Sequence, residues 1–209
     1  MPNLVLDLPD ISNLEDEEAK DLLRSCVREH RQQRSDQARA QLADLWKDTV
    51  LDFIGDRKIV AGFVSTHFEP PTLELCKVIA DAGKTLLLPK LGPGLTRAWG
   101  YFKGVDDLVQ MAPGRPPEPS GPAFDNDILL EVDAIVLPAL LMSRAGERLG
   151  QGGGWYDRAL KEKGEHTLVG AMVFPEELVD SHIPQTELDV PIPYVLRPAE
   201  IVATAAAQQ

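Results

Sequence analysis

No apolar run in this sequence reaches the length that spans a bilayer, and no basic stretch followed by an apolar one stands at Met1. The expectation is a soluble cytoplasmic protein with no membrane partner. Cysteine is scarce: Cys26 and Cys76 are the only two. They show neither CxxC nor metal-ligand spacing and fall on apolar positions of helix-like segments, which reads as core thiols in a reducing compartment. Positive charge is short as well, with 21 Lys and Arg against 33 Asp and Glu and a net charge of −12. That balance excludes a general nucleic-acid binder, which needs a basic face. It leaves room for a small anion held by a local cationic cluster. Familiar catalytic signatures are also missing. No GK[ST] closes a phosphate loop, no GxGxxG stands in dinucleotide-binding context, and no GxSxG elbow occurs. The four histidines, His30, His67, His166 and His182, form no ligand pattern.

What is present is an alternation of helical and strand-like segments. Ser12 and Glu15 fit a capping box, after which Ala19, Leu22, Leu23, Cys26 and Val27 recur at helical spacing. A second helix is expected over about 36–53 and a third over 72–83. Strands are expected over 58–65, 85–89, 97–102, 132–141, 167–174 and 192–198, with the alternation of the third broken at Gly100. Residues 112–122, rich in proline and glycine, read as a surface loop. Strands alternating with helices predict an α/β fold, a three-layer α/β/α sandwich around a mainly parallel sheet. The expected organisation is a loose acidic lead-in over 1–13, a single domain over 14–203 and a short tail over 204–209.

The segment "RLGQGGGWYDRAL", Arg148 to Leu160, carries four glycines within five residues between a predicted strand and a helix expected from Gly153 or Gly154 to about Lys163. A strand, a glycine loop and a helix in that order place free amides and the positive end of a helix dipole at a sheet's carboxyl end. Glycines let that backbone approach an oxyanion closely. The physical reading is a phosphate cradle; a flexible turn without a ligand is the plain alternative. Lys20, Arg24 and Arg28 stand at i, i+4 and i+8, so they line one face of the first helix. Either they form a solvated face paired with Asp16, Glu17 and Asp21, or they reach polyphosphate oxygens. Asp157 complements a helix dipole or holds a magnesium ion, and Asp189 stands near a strand start. Glu69 follows the strand ending at Ser65, where α/β proteins bind ligands. Lys90 and Arg97, after strand ends, are candidates to face an anionic tail.

Taken together, these segments resemble the 5-formyltetrahydrofolate cyclo-ligases, also called methenyltetrahydrofolate synthetases. The strongest match is "GERLGQGGGWYDRAL", Gly146 to Leu160. Four weaker ones follow the family's order: "KDLLR" (Lys20 to Arg24), "GFVSTHFEPPT" (Gly62 to Thr72), "GKTLLLPK" (Gly83 to Lys90) and "LDVP" (Leu188 to Pro191). The resemblance implies an enzyme that uses ATP and Mg2+ to convert 5-formyltetrahydrofolate to 5,10-methenyltetrahydrofolate, releasing ADP and phosphate; a monomer or weak homo-oligomer is expected. It assigns catalytic roles to Lys20, Arg24, Arg148 and Asp157. Lys20, Arg24 and the run Arg148, Leu149, Gly150, Gln151, Gly152, Gly153, Gly154, Trp155 and Tyr156 would bind ATP. Val64, Glu69 and Gln151 to Trp155 would face the folate, and Asp157 and Asp189 would serve the metal. Trp155 replaces a usual tyrosine or phenylalanine, and Leu188 a frequent histidine. Two alternatives remain: a nucleotide-binding relative without catalysis, and an isomerase or transferase acting on phosphorylated sugars or acyl thioesters.

Overall fold

The computed structural model describes residues 5–92, 94 and 96–208, so residues 1–4 of the expected lead-in and residue 209 of the tail lie outside the described residues. Four α-helices occur among the described residues: α1 (Asp16–Gln32), α2 (Asp36–Ile54), α3 (Leu73–Asp81) and α4 (Trp155–Leu160). The strands, in chain order, are β1 (Ile59–Ala61), β2 (Thr85–Leu91), β3 (Arg97–Tyr101), β4 (Leu108–Val109), β5 (Glu118–Pro119) and β6 (Ala134–Pro138). They continue with β7 (Leu141–Ser143), β8 (Arg148–Leu149), β9 (Leu168–Met172), β10 (Leu178–Val179), β11 (Tyr194–Arg197) and β12 (Glu200–Ala203).

Seven strands form the main sheet in the order β12-β11-β9-β6-β1-β2-β3. The five inner strands run parallel, and only the edge strands β3 and β12 are antiparallel. The inner strands alternate between two cores, as a sheet covered on both faces requires. Val60, Leu86, Leu88 and Val136 point to one side, against Trp46, Val50 and Phe53 of α2 and Leu75 and Ile79 of α3. Ala61, Leu87, Ile135 and Leu137 point to the other, against Leu129, Ala159 and Leu160. A third cluster seats Leu23 and Val27 of α1 on Leu141 and Leu149 of the small sheet β10-β7-β8. Leu6, Leu8 and Ile11 of the acidic lead-in pack on this same cluster. At the other end of the chain, Thr204 is buried and its hydroxyl donates to the Ile192 carbonyl at 2.7 Å.

The local differences from expectation have physical causes. The Ser12 capping box does not form: the Ser12 amide donates to Asp10 at 2.9 Å, and α1 starts after Glu15 with no side-chain cap. The first strand stops early because the Phe63 carbonyl accepts the Thr72 hydroxyl at 2.7 Å instead of a neighbouring strand. The stretch 132–141 divides because, beyond Pro138, the Leu140 amide leaves the main sheet and donates to Leu149 of the small one, at 2.8 Å. The alternation breaks at Gly100 because β5 crosses there; a Cβ would stand 3.1 Å from Pro119 and 3.0 Å from the Lys90 side chain. The proline-rich segment is not simply surface: Glu118 is buried and accepts the Leu91 amide at 3.1 Å.

Candidate active site

The loops at the carboxyl ends of β1, β2 and β6 meet the glycine loop and α1, where open parallel sheets bind ligands. α1 brings its cationic row down on the loop. Lys20 is 4% exposed and pairs with Asp189, Nζ to Oδ2 at 2.7 Å, rather than with Asp16 one turn away. Arg24 donates to the Gly150 carbonyl at 3.2 Å and pairs with Asp21 at 2.5 Å. Arg28 grips Gln151 twice, on its backbone carbonyl at 3.1 Å and its side-chain oxygen at 2.9 Å. The row therefore faces the loop: Lys20 and Arg28 take partners outside the helix, while Arg24 keeps Asp21 of the solvated face as well as the loop carbonyl.

The loop's own conformation depends on glycine at Gly152, whose φ of +97° is strained for any residue with a Cβ. α4 begins only at Trp155, and its last turn tightens, with the Lys161 amide reaching back to Arg158. At six residues it is shorter than expected, so its dipole is small and charged side chains dominate the local field. Arg148 is buried, donates to the Pro138 carbonyl at 3.3 Å and pairs with Asp157 at 2.7 Å. Its Nε and the Trp155 indole N–H are buried without a partner among the described residues. Buried donors in that state are uncommon and fit groups that meet a ligand.

Two adjoining cavities result. The smaller, about 450 Å³, is lined by Lys20, Arg24, Arg148, Asp157, Asp189 and the glycine loop. The larger, about 790 Å³, is walled by Phe63, Val64, Pro89, Pro117, Trp155 and Tyr156 among others. Glu69, Pro138, Gln151, Gly153, Trp155 and Tyr156 belong to both walls. Glu69 is 7% exposed; Oε2 accepts the Thr66 amide at 2.7 Å and hydroxyl at 2.8 Å, while Oε1 accepts the Gln151 amide at 3.2 Å. Burial and, after it, the charge of Glu69 push the Tyr156 hydroxyl well above its ordinary value, so it stays protonated at neutral pH.

Thus the structure brings Lys20, Arg24, Arg148, Asp157, Asp189, Val64, Glu69 and Gly150 to Tyr156 together. Leu149 joins only through its main chain, since its side chain lies in the third core. Lys90 is not available to an anionic tail: it is buried, and its ammonium donates to the Pro119 and Gly121 carbonyls at 2.7 and 2.6 Å. Arg158 and Arg115, which also line the larger cavity, are missed by the sequence reading. Arg158 carries a signal, standing next to Asp157 in the strongest motif; Arg115 carries none, because the proline-rich loop hides which way it folds.

Among the described residues no group of three His, Cys, Asp or Glu is arranged to hold a metal. The donor chemistry of Asp157 and Asp189 nevertheless suits magnesium. Each commits Oδ2 to a cation, and Oδ1 of each has no partner among the described residues. Magnesium takes one or two carboxylates and completes its shell with water and phosphate.

A parallel α/β sheet whose carboxyl-end loops enclose a cavity of paired cations and carboxylates beside a ring-walled one places this chain in the class of α/β proteins with a ligand site at that end of the sheet. Comparisons make the class specific. The chain matches the 5-formyltetrahydrofolate cyclo-ligase family over residues 16–198 and belongs to that family. It is 33% identical over 147 residues to the 5-formyltetrahydrofolate cyclo-ligase of Mycolicibacterium smegmatis, covering 68% of this chain and 74% of that one. It is 30% identical over 146 residues to the Escherichia coli K12 cyclo-ligase, covering 68% and 79%. The fold matches the 5,10-methenyltetrahydrofolate synthetase of Aquifex aeolicus with a TM-score of 0.73 at 24% identity, over 88% of this chain and 92% of that one. The activity is accordingly that of a 5-formyltetrahydrofolate cyclo-ligase, converting 5-formyltetrahydrofolate to 5,10-methenyltetrahydrofolate.

Proposed function

We propose that the smaller cavity holds the triphosphate of ATP, the larger one holds 5-formyltetrahydrofolate, and the reacting groups meet at their common wall. The observation that carries this reading is that wall, shared between a cationic cavity and a ring-lined one. Lys20, Arg24 and Arg148, with the amides of Gly150 to Gly154, offset phosphate charge. Trp155 and Tyr156 present aromatic surface to the pterin. Glu69 and Gln151 hold its polar edge. Asp157 and Asp189 hold Mg2+, which when bound neutralises part of the phosphate charge.

A formamide closes poorly onto an amine because its oxygen is a poor leaving group. In the proposed sequence the formyl oxygen bonds to the γ-phosphorus and the bond to ADP breaks. N10 then attacks the activated carbon, loses its proton, and the carbon–oxygen bond breaks to release phosphate and leave the methenyl bridge. The protein contributes positioning and charge compensation throughout. No covalent enzyme nucleophile is needed. No helix among the described residues is long and apolar enough to cross a membrane; we place the enzyme in the cytoplasm, acting as a monomer or weak homo-oligomer.

The test is direct. With 5-formyltetrahydrofolate, ATP and Mg2+, the near-ultraviolet absorbance of the methenyl product grows, and omitting either ATP or the metal abolishes the growth. Nucleotide binding without product under any condition overturns the catalytic reading in favour of a non-catalytic relative.

A further inference from the structure

Of the three cations in the row on α1, Arg28 takes no part in the smaller cavity. Lys20 and Arg24 each meet an acid and line that cavity. Arg28 is exposed, lines neither cavity and forms no ion pair among the described residues. Its guanidinium is committed to Gln151 instead. Nε and Nη2 donate to the side-chain Oε1 at 3.1 and 2.9 Å, and Nη2 also donates to the main-chain carbonyl at 3.1 Å. Gln151 stands between Gly150 and Gly152, neither of which has a side chain to steady it, so these bonds decide where its amide points. Only one orientation satisfies both of its neighbours, because a guanidinium only donates and a carboxylate only accepts. The amide oxygen faces Arg28, and the amide nitrogen faces Glu69, donating to Oε1 at 3.2 Å.

That contact falls on a buried carboxylate at the wall the two cavities share. Thr66, three residues before Glu69, holds Oε2 through its amide and hydroxyl, at 2.7 and 2.8 Å. Among the described residues Oε1 has only Gln151, 82 positions away. The local turn therefore fixes one oxygen, and the chain of contacts from α1 through the glycine loop fixes the other. A carboxylate held at both oxygens has lost its rotational freedom before a ligand arrives, and Oε1 still has a lone pair to offer. In the proposed complex the N–H edge of the reduced pterin meets that lone pair. We infer that Arg28 is a positioning residue for the folate: acting through Gln151, it sets the direction of the Glu69 carboxylate without touching either substrate. The inference rests on the assignment of the larger cavity to folate.

The experiment is a double-mutant cycle on Arg28→Ala, Gln151→Ala and the pair, with the KM for 5-formyltetrahydrofolate and the KM for ATP measured separately. Arg28→Ala raises the folate KM about three- to tenfold, the range for one lost hydrogen bond, and leaves kcat and the KM for ATP near native. The pair is no worse for folate than Gln151→Ala alone, because Arg28 acts only through Gln151. Additive effects overturn the inference. So does an unchanged folate KM in Arg28→Ala, or a rise in the KM for ATP in its place, which would make Arg28 a phosphate ligand. A second measurement needs no substrate. Hydrogen exchange of the free protein, followed by mass spectrometry, is faster in Arg28→Ala over residues 150–156 and over 62–72, where Glu69 holds the Thr66 amide. Native exchange over 62–72 in that variant overturns the inference. Absence of turnover and of folate binding in the native enzyme counts against the folate reading itself, and the exchange measurement then decides separately whether Arg28 sets Glu69.

Discussion

Arg31 and Glu177 form a two-pronged ion pair in the interior, Nε to Oε1 at 2.7 Å and Nη2 to Oε2 at 2.8 Å, with side chains 2% and 0% exposed. The same guanidinium donates to the Ala139 carbonyl at 2.6 Å. Ala139 follows β6 and lines the smaller cavity, next to the Pro138 carbonyl that accepts from Arg148. The pair thus ties the end of α1 to the segment after β6 that lines the smaller cavity.

Removing one member of that pair leaves a buried charge alone. Arg31→Ala is expected to cost about 3–5 kcal/mol of stability, read as a lower urea midpoint. The double substitution Arg31→Met, Glu177→Leu removes both charges and is expected to restore much of the stability while leaving the KM for ATP raised, because the Ala139 carbonyl loses its anchor. A double variant with native KM would return the pair to a purely structural role.

Asp157→Asn keeps an acceptor for Arg148 and removes a carboxylate. Turnover should then need more Mg2+, with metal affinity reduced by about 10–100-fold or more, the range for groups that orient metal ligands. Thermal unfolding should stay close to native. Titration of activity against Mg2+ measures this, and an unchanged curve takes Asp157 out of metal binding.

Gly152→Ala forces a side chain into a φ of +97°. The expected cost is about 1–3 kcal/mol, felt first as a loosened loop and weaker nucleotide binding by calorimetry. Gly153→Ala, at a position with no atom within 4 Å of the added carbon, serves as the comparison and should unfold at nearly the native temperature.

Acid should unfold the protein through a small group of carboxylates. For Asp189 burial acts upward, but hydrogen bonds from Lys20 and Thr186 outweigh it and hold the carboxyl below its ordinary 3.8. Amides of Ile59 and Lys58 lower Asp133 in the same way. A group whose native value is depressed stabilises the fold above the unfolded value and loses that contribution as pH falls through the native one. Stability should therefore be flat above about pH 5 and drop below about pH 4. Urea midpoints across this range check it, and Asp189→Asn should shallow the drop.

The two thiols should differ in reactivity. Cys76 is 2% exposed and burial pushes its thiol up to about 12. Cys26 is half-buried, its Sγ 3.3 Å from the Asp7 carbonyl. A thiol reagent at neutral pH should modify Cys26 first, and Cys76 only after denaturant is added. Equal rates for both would contradict the packing of α3 on the sheet.

Much of this was legible in residue order. Apolar periodicity marks α1, α2 and α3, and short apolar runs mark the inner strands, because each must bury a face at a fixed period. The motif from Arg148 to Leu160 and the row at Lys20 and Arg24 are close in sequence to the residues that define them. The capping box that Ser12 and Glu15 suggest does not form, because Asp10 competes for the same amide. The proline-rich stretch is a largely exposed loop, as its composition indicates, but composition does not give its direction, which puts Pro117 and Arg115 against the larger cavity and buries Glu118 and Pro119.

By itself the sequence determined the alternation of elements, the acid excess and the identities of the loop and its cations, since these follow from local propensity and composition. Only the tertiary structure decided which acid Lys20 and Arg31 meet. Lys20 and Asp189 are 169 positions apart, and Arg31 and Glu177 are 146. Spacing along one helix offered Lys20 a partner at Asp16; folding gave it Asp189, because a buried ammonium requires a partner that is held beside it, and Asp189 is fixed there by Thr186 while the exposed Asp16 is not.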